Sequence, residues 1–426
     1  MTFSLVLVPI FLLLIGFPIF LVLLSAVSVA LVFFMNVPLT VLHQNLFGSV
    51  YSFTLLSIPF FIYAGELMGR GSVAQRLVNV VQEGMGATRG SLGVTTVGTS
   101  AIFGAISGVS SACVATIGKI MHPAMRAKGY PEHFSAGLVT AVGAIDIIIP
   151  PSVPLIIYGA AASESVPRLY AAGFLPGLLL ALMLSAYVIW TARRNGFGDS
   201  PPFNLRRFAS AIGKGIWALG MPFIILGGIY GGVFSPTEAA AVACVYAAFV
   251  TTVIYRELGW RDVLASAEAT ALFSAQILVV VACASVFAWL LTVNQVPAAI
   301  VTWLDALQIP AWLLLIVINI ILLIAGCFID PISAILLLTP LLVPVVKAAG
   351  IDTVHFGIIM TMNLAIGLFS PPFGMNIFVA QSVLGLPLNQ IYRGIMPFLV
   401  IYLIVLVLIT FVPQISLLGP RLLMGS

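Results

Sequence analysis

Charged residues are scarce in this sequence. Only 7% of its 426 residues are Asp, Glu, Lys or Arg, whereas 61% are hydrophobic; soluble globular proteins carry about 25% charged residues. Apolar stretches of about 20 residues recur along the whole chain, which is typical of membrane-spanning α-helices. The alternation of apolar and polar residues that a transmembrane β-barrel needs is missing. The composition therefore predicts an all-α polytopic membrane protein.

Further absences narrow the function. The cysteines stand singly without CxxC spacing and the histidines show no HxxxH spacing, so we predict no transition-metal site. No GxxxxGK[ST] loop is present, which excludes direct use of ATP by this chain. No hydrophilic stretch is long enough for a soluble domain, and we expect neither an enzyme cofactor nor nucleic acid as a partner. The function must therefore lie within the lipid bilayer.

The few charges indicate which loops face the cytoplasm. Basic residues cluster in TARRNGFGDSPPFNLRRFASAIGK, and the positive-inside rule places this loop on the cytoplasmic side. A second basic stretch, YRELGWRD, predicts another cytoplasmic loop. The N-terminal run SLVLVPIFLLLIGFPIFLVLLSAVSVALVFF has no basic n-region and no cleavage site, so we interpret it as a retained spanning helix.

The two sides of the first basic loop resemble each other. Pro150-Pro151 recurs as Pro371-Pro372 at an offset of 221 residues, and the same offset relates Pro123 to Pro344. Further matches in the same order indicate an internal duplication. Each half contains a short apolar hairpin interrupted by small residues, then a helix broken at the double proline, then another span. Matched interrupted segments in two halves are typical of the binding site of a secondary transporter.

These repeats predict the domain organisation. The first half covers residues 1–193, with a hairpin at about 88–122 and a broken helix at about 132–165. A cytoplasmic linker covers 194–210. The second half covers 211–426, with a hairpin at about 310–347 and a broken helix at about 354–386. The alternative, in which the prolines only kink packed helices, does not account for the matching hairpins.

The helix breaks expose backbone oxygens to a ligand. Proline lacks the N–H donor and clashes with the preceding turn, so carbonyl groups in both breaks lose their helical partners. Such oxygens, with hydroxyls from the hairpin tips, suit a hard cation and Na⁺ above all. The predicted Na⁺ ligands are Ser107, Ser110, Ser111, Gly143, Asp146, Ile149 and Pro150 in the first half and Gly326, Asp330, Ser333, Gly367, Ser370 and Pro371 in the second.

The half-helix that follows each break directs its N–H groups at the same cavity. These groups favour an anionic substrate, and we predict Ser152 and Asn376 as its contacts.

Two acidic residues lie inside predicted membrane segments, where a carboxylate is costly and usually functional. Asp146 corresponds to Gly367 of the second half, so the repeat does not require it. It is interpreted as a cation ligand or a proton carrier. Asp330 precedes Pro331, which also suits the N-cap of a half-helix, so capping, ion binding or both remain open.

Other acidic residues have structural explanations. Ser235 and Glu238 in SPTE predict a capping box at the start of a helix. Glu66 and Arg70 have the i,i+4 spacing of a helical ion pair. The stretch SVAQRLVNVVQEGM is amphipathic and predicts a helix lying along the membrane surface.

The segments GAISGVSSA, IIIPPSVPLIIYG, GVFSPTEAAAV and GIDTVHFGIIMTMNLAIGLFSPPFGMNIFVA resemble the large membrane subunit of TRAP transporters, the tripartite ATP-independent periplasmic carriers, of the dicarboxylate type. The resemblance extends over essentially the whole chain. It implies two inverted-repeat halves with re-entrant hairpins, an elevator-type scaffold and transport domain, and a bacterial inner-membrane location. It also implies Na⁺ coupling, organic-acid uptake, a small four-helix membrane subunit and a periplasmic substrate-binding protein.

This chain departs from the family pattern at Asp146, where the family usually has glycine. The small subunit is expected to be a separate chain, because the first span of the large subunit begins at the N-terminus. Two alternatives remain. A stand-alone sodium–carboxylate symporter would share the hairpins and breaks, and an intramembrane aspartyl protease would use Asp146 and Asp330 as a catalytic pair.

Overall fold

The computed structural model describes residues 8–9, 11–13, 15–35, 37–86, 88–198 and 202–425. All the regular secondary structure in these ranges is helical. In the first half the helices are α1 (Ile19–Phe34), α2 (Leu39–Val50), α3 (Ser57–Arg70), α4 (Val73–Met85), α5 (Ser91–Ser107), α6 (Ser110–Ala127), α7 (Glu132–Val142), α8 (Val153–Ala162) and α9 (Val166–Asn195). In the second half they are α10 (Leu205–Tyr230), α11 (Pro236–Phe249), α12 (Trp260–Val293), α13 (Val296–Ala306), α14 (Ala311–Phe328), α15 (Pro331–Ala348), α16 (Thr353–Phe369), α17 (Met375–Leu384), α18 (Leu388–Phe411) and α19 (Gln414–Met424).

Seven of the described helices are long and apolar enough to cross a membrane. They are α9, α10, α11 with its continuation to Ile254, α12, α14, α15 and α18. An eighth span results if α2 and α3, which are bent by 58° at the break between them, are counted together. The prediction of an all-α polytopic membrane protein is confirmed.

Two helical hairpins occupy equivalent places in the two halves. In the first, α5 ends at Ser107 and α6 begins at Ser110, and Gly108 between them has a left-handed backbone with φ of 60°. In the second, α14 ends at Phe328 and α15 begins after Asp330, whose side chain accepts a hydrogen bond of 3.0 Å from the Ser333 amide. The predicted capping role of Asp330 is therefore confirmed.

Each half also contains a helix interrupted at its double proline. The first runs from α7 through a 3₁₀ turn, Gly143–Ile145, and resumes as α8. The second ends as α16 at Phe369 and resumes as α17 at Met375. Both proline–proline bonds are cis. Every residue of α16 is buried, as expected of a helix that is apolar on all sides and lies in the core.

The two halves interlock through small residues and tyrosines. Helix α7 crosses α18 so closely that a Cβ atom at Gly394 would lie 1.9 Å from the carbonyl oxygen of His133. Tyr402 of α18 donates a hydrogen bond of 2.7 Å to the Ala141 carbonyl in the first break region. Tyr158 of α8 donates one of 2.6 Å to the Thr353 carbonyl. These contacts join the broken helix of each half to the other half.

Several local features predicted from the sequence are present in the structure. The capping box of Ser235 and Glu238 and the Glu66–Arg70 ion pair, at 2.9 Å, are both confirmed. The amphipathic stretch forms a helix, α4, as predicted, and its position along the membrane surface stays a prediction. The N-terminal span is described as helix only from Ile19 onward apart from short pieces before it, and residues 1–7 lie outside the described residues. Residues 199–201 of the predicted linker also lie outside them.

Candidate ion and substrate site

One cavity of about 280 Å³ brings both hairpin tips and both helix breaks together. From the first half, Ser110 and Ser111 of the hairpin tip line it, with Ile147 of the break. From the second half, Asp330 and Ser333 line it, with flanking residues Leu368 and Met375 of the break. Helix α12 forms the remaining wall with Phe273, Gln276, Ile277 and Val280. Four predicted ion ligands from distant parts of the sequence therefore share one cavity.

Asp146 lies behind the first hairpin tip and is completely buried. Its Oδ2 accepts a hydrogen bond of 2.9 Å from the Ser107 hydroxyl, while its Oδ1 has no hydrogen-bond partner among the described residues. Gly104 makes room for the carboxylate, because a Cβ atom there would lie 2.8 Å from Asp146 Cα and 3.0 Å from Oδ1. A buried carboxylate oxygen that has no hydrogen-bond partner is suited to act as a ligand of a cation.

Ser110 connects three parts of the site. Its hydroxyl donates a hydrogen bond of 2.8 Å to the Gly143 carbonyl, at the start of the first break. The same hydroxyl accepts a hydrogen bond of 2.9 Å from the side-chain amide nitrogen of Asn376, in the first turn of α17 of the other repeat. Asn376 is completely buried. The first tip-and-break region is therefore built from both halves.

At the second tip-and-break pair, two glycines allow the hairpin and the broken helix to pack directly against each other. A Cβ atom at Gly367 would lie 2.3 Å from the Gly326 carbonyl oxygen, so the hairpin arm touches the break directly. Ser370, at the break, donates a hydrogen bond of 2.7 Å to the Ile366 carbonyl. Pro371 follows it and is partly buried. The region contains backbone and hydroxyl oxygens but lacks an equivalent of Asp146.

Several of the predicted ion and substrate contacts do not line the 280 Å³ cavity. The Ser152 hydroxyl donates a hydrogen bond of 2.6 Å to the Ile147 carbonyl, so this break carbonyl already has a partner. The side chain of Ile149 packs against Gly177, and that of Pro150 against Gly173, both on α9. Neither Ser152 nor Asn376, the two predicted substrate contacts, is among the residues that line the 280 Å³ cavity.

A second cavity, of about 400 Å³, lies on the other side of the first hairpin tip. Ser107 and Ser111 line it, and Glu66 of α3 lies in its wall. Because the Ser107 hydroxyl also holds Asp146, this cavity reaches the hydrogen-bond partner of the buried carboxylate. Gly65 lets α3 approach the tip, since a Cβ atom there would lie 2.7 Å from Ser107 Cα.

Sequence reasoning missed the contribution of α12. Phe273 and Gln276 of this helix line the 280 Å³ cavity, and Phe273 lines the second cavity as well. The signal for Gln276 was an amide inside a long apolar span, where polar side chains usually face a cavity or a partner. Gly65 and Gly104 were also missed as packing residues, because their partners are remote in sequence.

Comparisons with known proteins agree on one family. The family model of the "Tripartite ATP-independent periplasmic transporter, DctM component" matches residues 6–415. A Pseudomonas aeruginosa protein named C4-dicarboxylate TRAP transporter large permease protein DctM is 41% identical over 377 residues, covering 88% of each chain. The isethionate TRAP transporter permease protein DctMQ of Oleidesulfovibrio alaskensis is 41% identical over 90% of this chain, but this chain spans only 60% of that relative's length.

The fold also matches a solved transporter structure. The Alcanivorax borkumensis YdaH transporter superposes with a TM-score of 0.62 over 87% of each chain, at 16% sequence identity. This likeness concerns the fold alone. The family model and the relatives are named as transporters and permeases, so the chain is a transport protein rather than a protease or another enzyme. It is a multi-pass membrane protein and belongs to the family of TRAP transporter large permease subunits, the DctM component.

Proposed function

We propose that this chain carries a small organic acid across the membrane in symport with Na⁺. The observation that supports this most is the meeting of both hairpin tips and both helix breaks at one cavity. The hydroxyls of Ser110 and Ser111 line its first-half side and the carboxylate of Asp330 lines its second-half side. Such oxygens are the ligands that hard cations prefer. In this proposal one Na⁺ binds at each tip-and-break pair, and the free Oδ1 of Asp146 is a ligand of the first.

The proposed substrate is anionic because of the helix ends at the cavity. Helices α6 and α15 both begin there, and their N-terminal N–H groups favour a negative charge. Among the described residues no Lys, Arg or His lines the cavity, so bound Na⁺ would supply the compensating positive charge. The two relatives named above are called transporters of isethionate and of C4-dicarboxylates, both organic anions.

The proposed assembly includes two partners in the bacterial inner membrane and periplasm. A small four-helix membrane subunit would hold the scaffold, and a periplasmic binding protein would deliver the organic acid. Family membership supports both, since the family is described as tripartite and periplasmic. In the proposed elevator movement, the hairpins and broken helices move together past α12, whose Phe273 and Gln276 face the cavity.

The test is uptake by proteoliposomes that contain this chain, with and without each partner, over a panel of labelled organic acids. We expect accumulation of at least one acid that requires an inward Na⁺ gradient. Unchanged uptake after replacement of Na⁺ by choline on both sides would refute the coupling. Full uptake by the chain alone would instead support a self-sufficient sodium–carboxylate symporter.

A further inference from the structure

A polar groove of about 740 Å³ lies between α4 and the first turns of α10 and shares no lining residue with the 280 Å³ cavity. Four cationic side chains line it, and among the described residues only one acidic side chain, that of Glu83, does so. The cations are Arg76, Arg206, Arg207 and Lys214. Neither the ion site nor the organic acid involves this groove.

Arg76 differs from the other three cations because its charge is already paired. Its Nη2 lies 2.9 Å from Glu257 Oε1, and its guanidinium stacks on the Tyr255 ring at 3.9 Å from the centroid. Its Nη1 also donates to the Lys214 carbonyl at 3.4 Å. Arg76 therefore holds α4 against α10 and shapes the groove wall.

The remaining cations have no such partner. Arg206, Arg207 and Lys214 are exposed, and their side chains form no ion pair among the described residues. Arg207 and Lys214 are two helical turns apart on one face of α10, with Ser210 between them. Three unpaired charges against Glu83 leave the groove positive, which favours an anionic ligand.

The position of the groove along α10, at the start of a helix long and apolar enough to cross a membrane, indicates what kind of anion fits. Arg206, Arg207 and Lys214 belong to the basic loop for which the positive-inside rule predicts a cytoplasmic position. Deeper along α10, the apolar side chains of Ile216, Trp217 and Phe223 are exposed. Trp217 follows Arg206 by about three helical turns and so lies near the same edge of the helix. A ligand with an anionic head and apolar chains can place its head against the cations of the groove and its chains against these exposed apolar side chains.

We propose that this groove binds the phosphate headgroup of an anionic phospholipid from the cytoplasmic leaflet. Arg206, Arg207 and Lys214 contact the phosphate, and the acyl chains lie along α10 beside Trp217. Basic pockets between spanning helices on the cytoplasmic side bind such headgroups. Free phosphate carries the same anionic group but has no apolar chain to cover the exposed apolar side chains of α10. The lipid is therefore the favoured ligand.

The test measures lipid binding to the full chain in phosphatidylcholine nanodiscs that contain increasing cardiolipin, with retained lipid counted by native mass spectrometry. The triple variant R206Q/R207Q/K214Q should bind cardiolipin more weakly, by about fivefold for each cation removed. The matched control is K128Q/R193Q/R194Q. It removes the same charge from the same side of the protein, since the Lys128 carbonyl accepts a hydrogen bond from Gly198 beside the linker.

The control should bind cardiolipin within twofold of the unaltered chain. An equal loss in both triple variants would show a general charge effect and overturn the proposal, as would retention of full binding by R206Q/R207Q/K214Q. In a second experiment, inorganic phosphate is added in solution and the thermal unfolding of the protein is measured. If phosphate protects the protein as well as cardiolipin does, the groove binds a free anion and the lipid proposal is wrong. If the triple variant fails to fold, K214Q and R206Q are measured singly, each with an expected fivefold loss.

Discussion

The side-chain amide of Asn376 donates a hydrogen bond of 2.9 Å to the hydroxyl of Ser110, although the two residues are 266 positions apart. Asn376 lies in the first turn of a half-helix of the second repeat, α17, and Ser110 begins the second arm of the first hairpin. The Ser110 hydroxyl also binds the Gly143 carbonyl. One buried amide thus joins the hairpin of one half to the broken helix of the other, through a serine that lines the 280 Å³ cavity.

This link predicts the effect of Asn376→Ala. The substitution leaves a buried hydroxyl with one partner fewer, which costs about 1–3 kcal/mol. Because the bond fixes the first hairpin tip, we expect both the apparent Na⁺ affinity and the uptake rate to fall. Uptake against Na⁺ concentration in proteoliposomes measures both. Asn389→Ala, at an exposed position on α18, is the matched control and should behave like the unaltered chain.

A second prediction concerns the charge of Asp146. Asp146→Asn keeps the size of the side chain and removes the anion, so a cation bound at Oδ1 loses about 1.5–3 kcal/mol of charge-assisted interaction. The Na⁺ concentration for half-maximal uptake should then rise by about 10–100-fold. Asp146→Gly, which copies the Gly367 position, should have a similar effect.

The control for this prediction is Asp352→Asn. Asp352 caps α16 by accepting hydrogen bonds from the Val354 and His355 amides, at 2.8 and 3.0 Å, and asparagine caps helices equally well. An unchanged Na⁺ dependence in Asp146→Asn would exclude the carboxylate from cation binding, while transport itself could still depend on Na⁺ at the second site.

The contact between Gly326 and Gly367 makes a third prediction. A methyl group at residue 367 would lie 2.3 Å from the Gly326 carbonyl oxygen, far inside van der Waals contact, so the second hairpin must move away from its break. We expect Gly367→Ala to lower uptake at least tenfold while the protein still inserts and folds. Gly227→Ala, on an open helix face with no atom within 4 Å, should retain full uptake.

The fourth prediction concerns stability around Glu257, in a loop between two of the candidate spans. Burial raises the pKa of Glu257, but hydrogen bonds from Ser72 and the ion pair with Arg76 outweigh it and hold the pKa below its ordinary value of 4.5. A lowered pKa means that the ionised form stabilises the folded state. This stabilisation is present above pH 4.5 and is lost as the pH falls through the lower, folded-state value.

Glu257→Gln should therefore reduce stability at pH 7, by about 0.2–1 kcal/mol for a surface pair. The difference from the unaltered chain should shrink as the pH falls below 4.5. Thermal unfolding followed by tryptophan fluorescence at both pH values measures it. Glu268→Gln changes an exposed carboxylate elsewhere and should show no such pH-dependent difference. A constant difference at all pH values would contradict an electrostatic origin.

Much of the architecture was predictable because it depends on local signals. The double prolines locate the helix breaks, since proline cannot continue the hydrogen-bond ladder whatever its surroundings. The capping box at Ser235 and the cap at Asp330 also depend on residues three positions away. The repeat and the family motifs predicted the hairpins, but the break carbonyls were not all free as expected, because the Ser152 hydroxyl binds the Ile147 carbonyl.

The sequence by itself determined the membrane class, the duplication, the places where helices break and the family. These follow from hydropathy, periodicity and proline, which act over a few residues. The tertiary structure alone decided that Asn376 joins Ser110, that Gly104 accommodates Asp146 and that α12 closes the cavity. Such contacts depend on how close two remote helices approach. That separation is set by the summed packing of both surfaces, which no short stretch of sequence encodes.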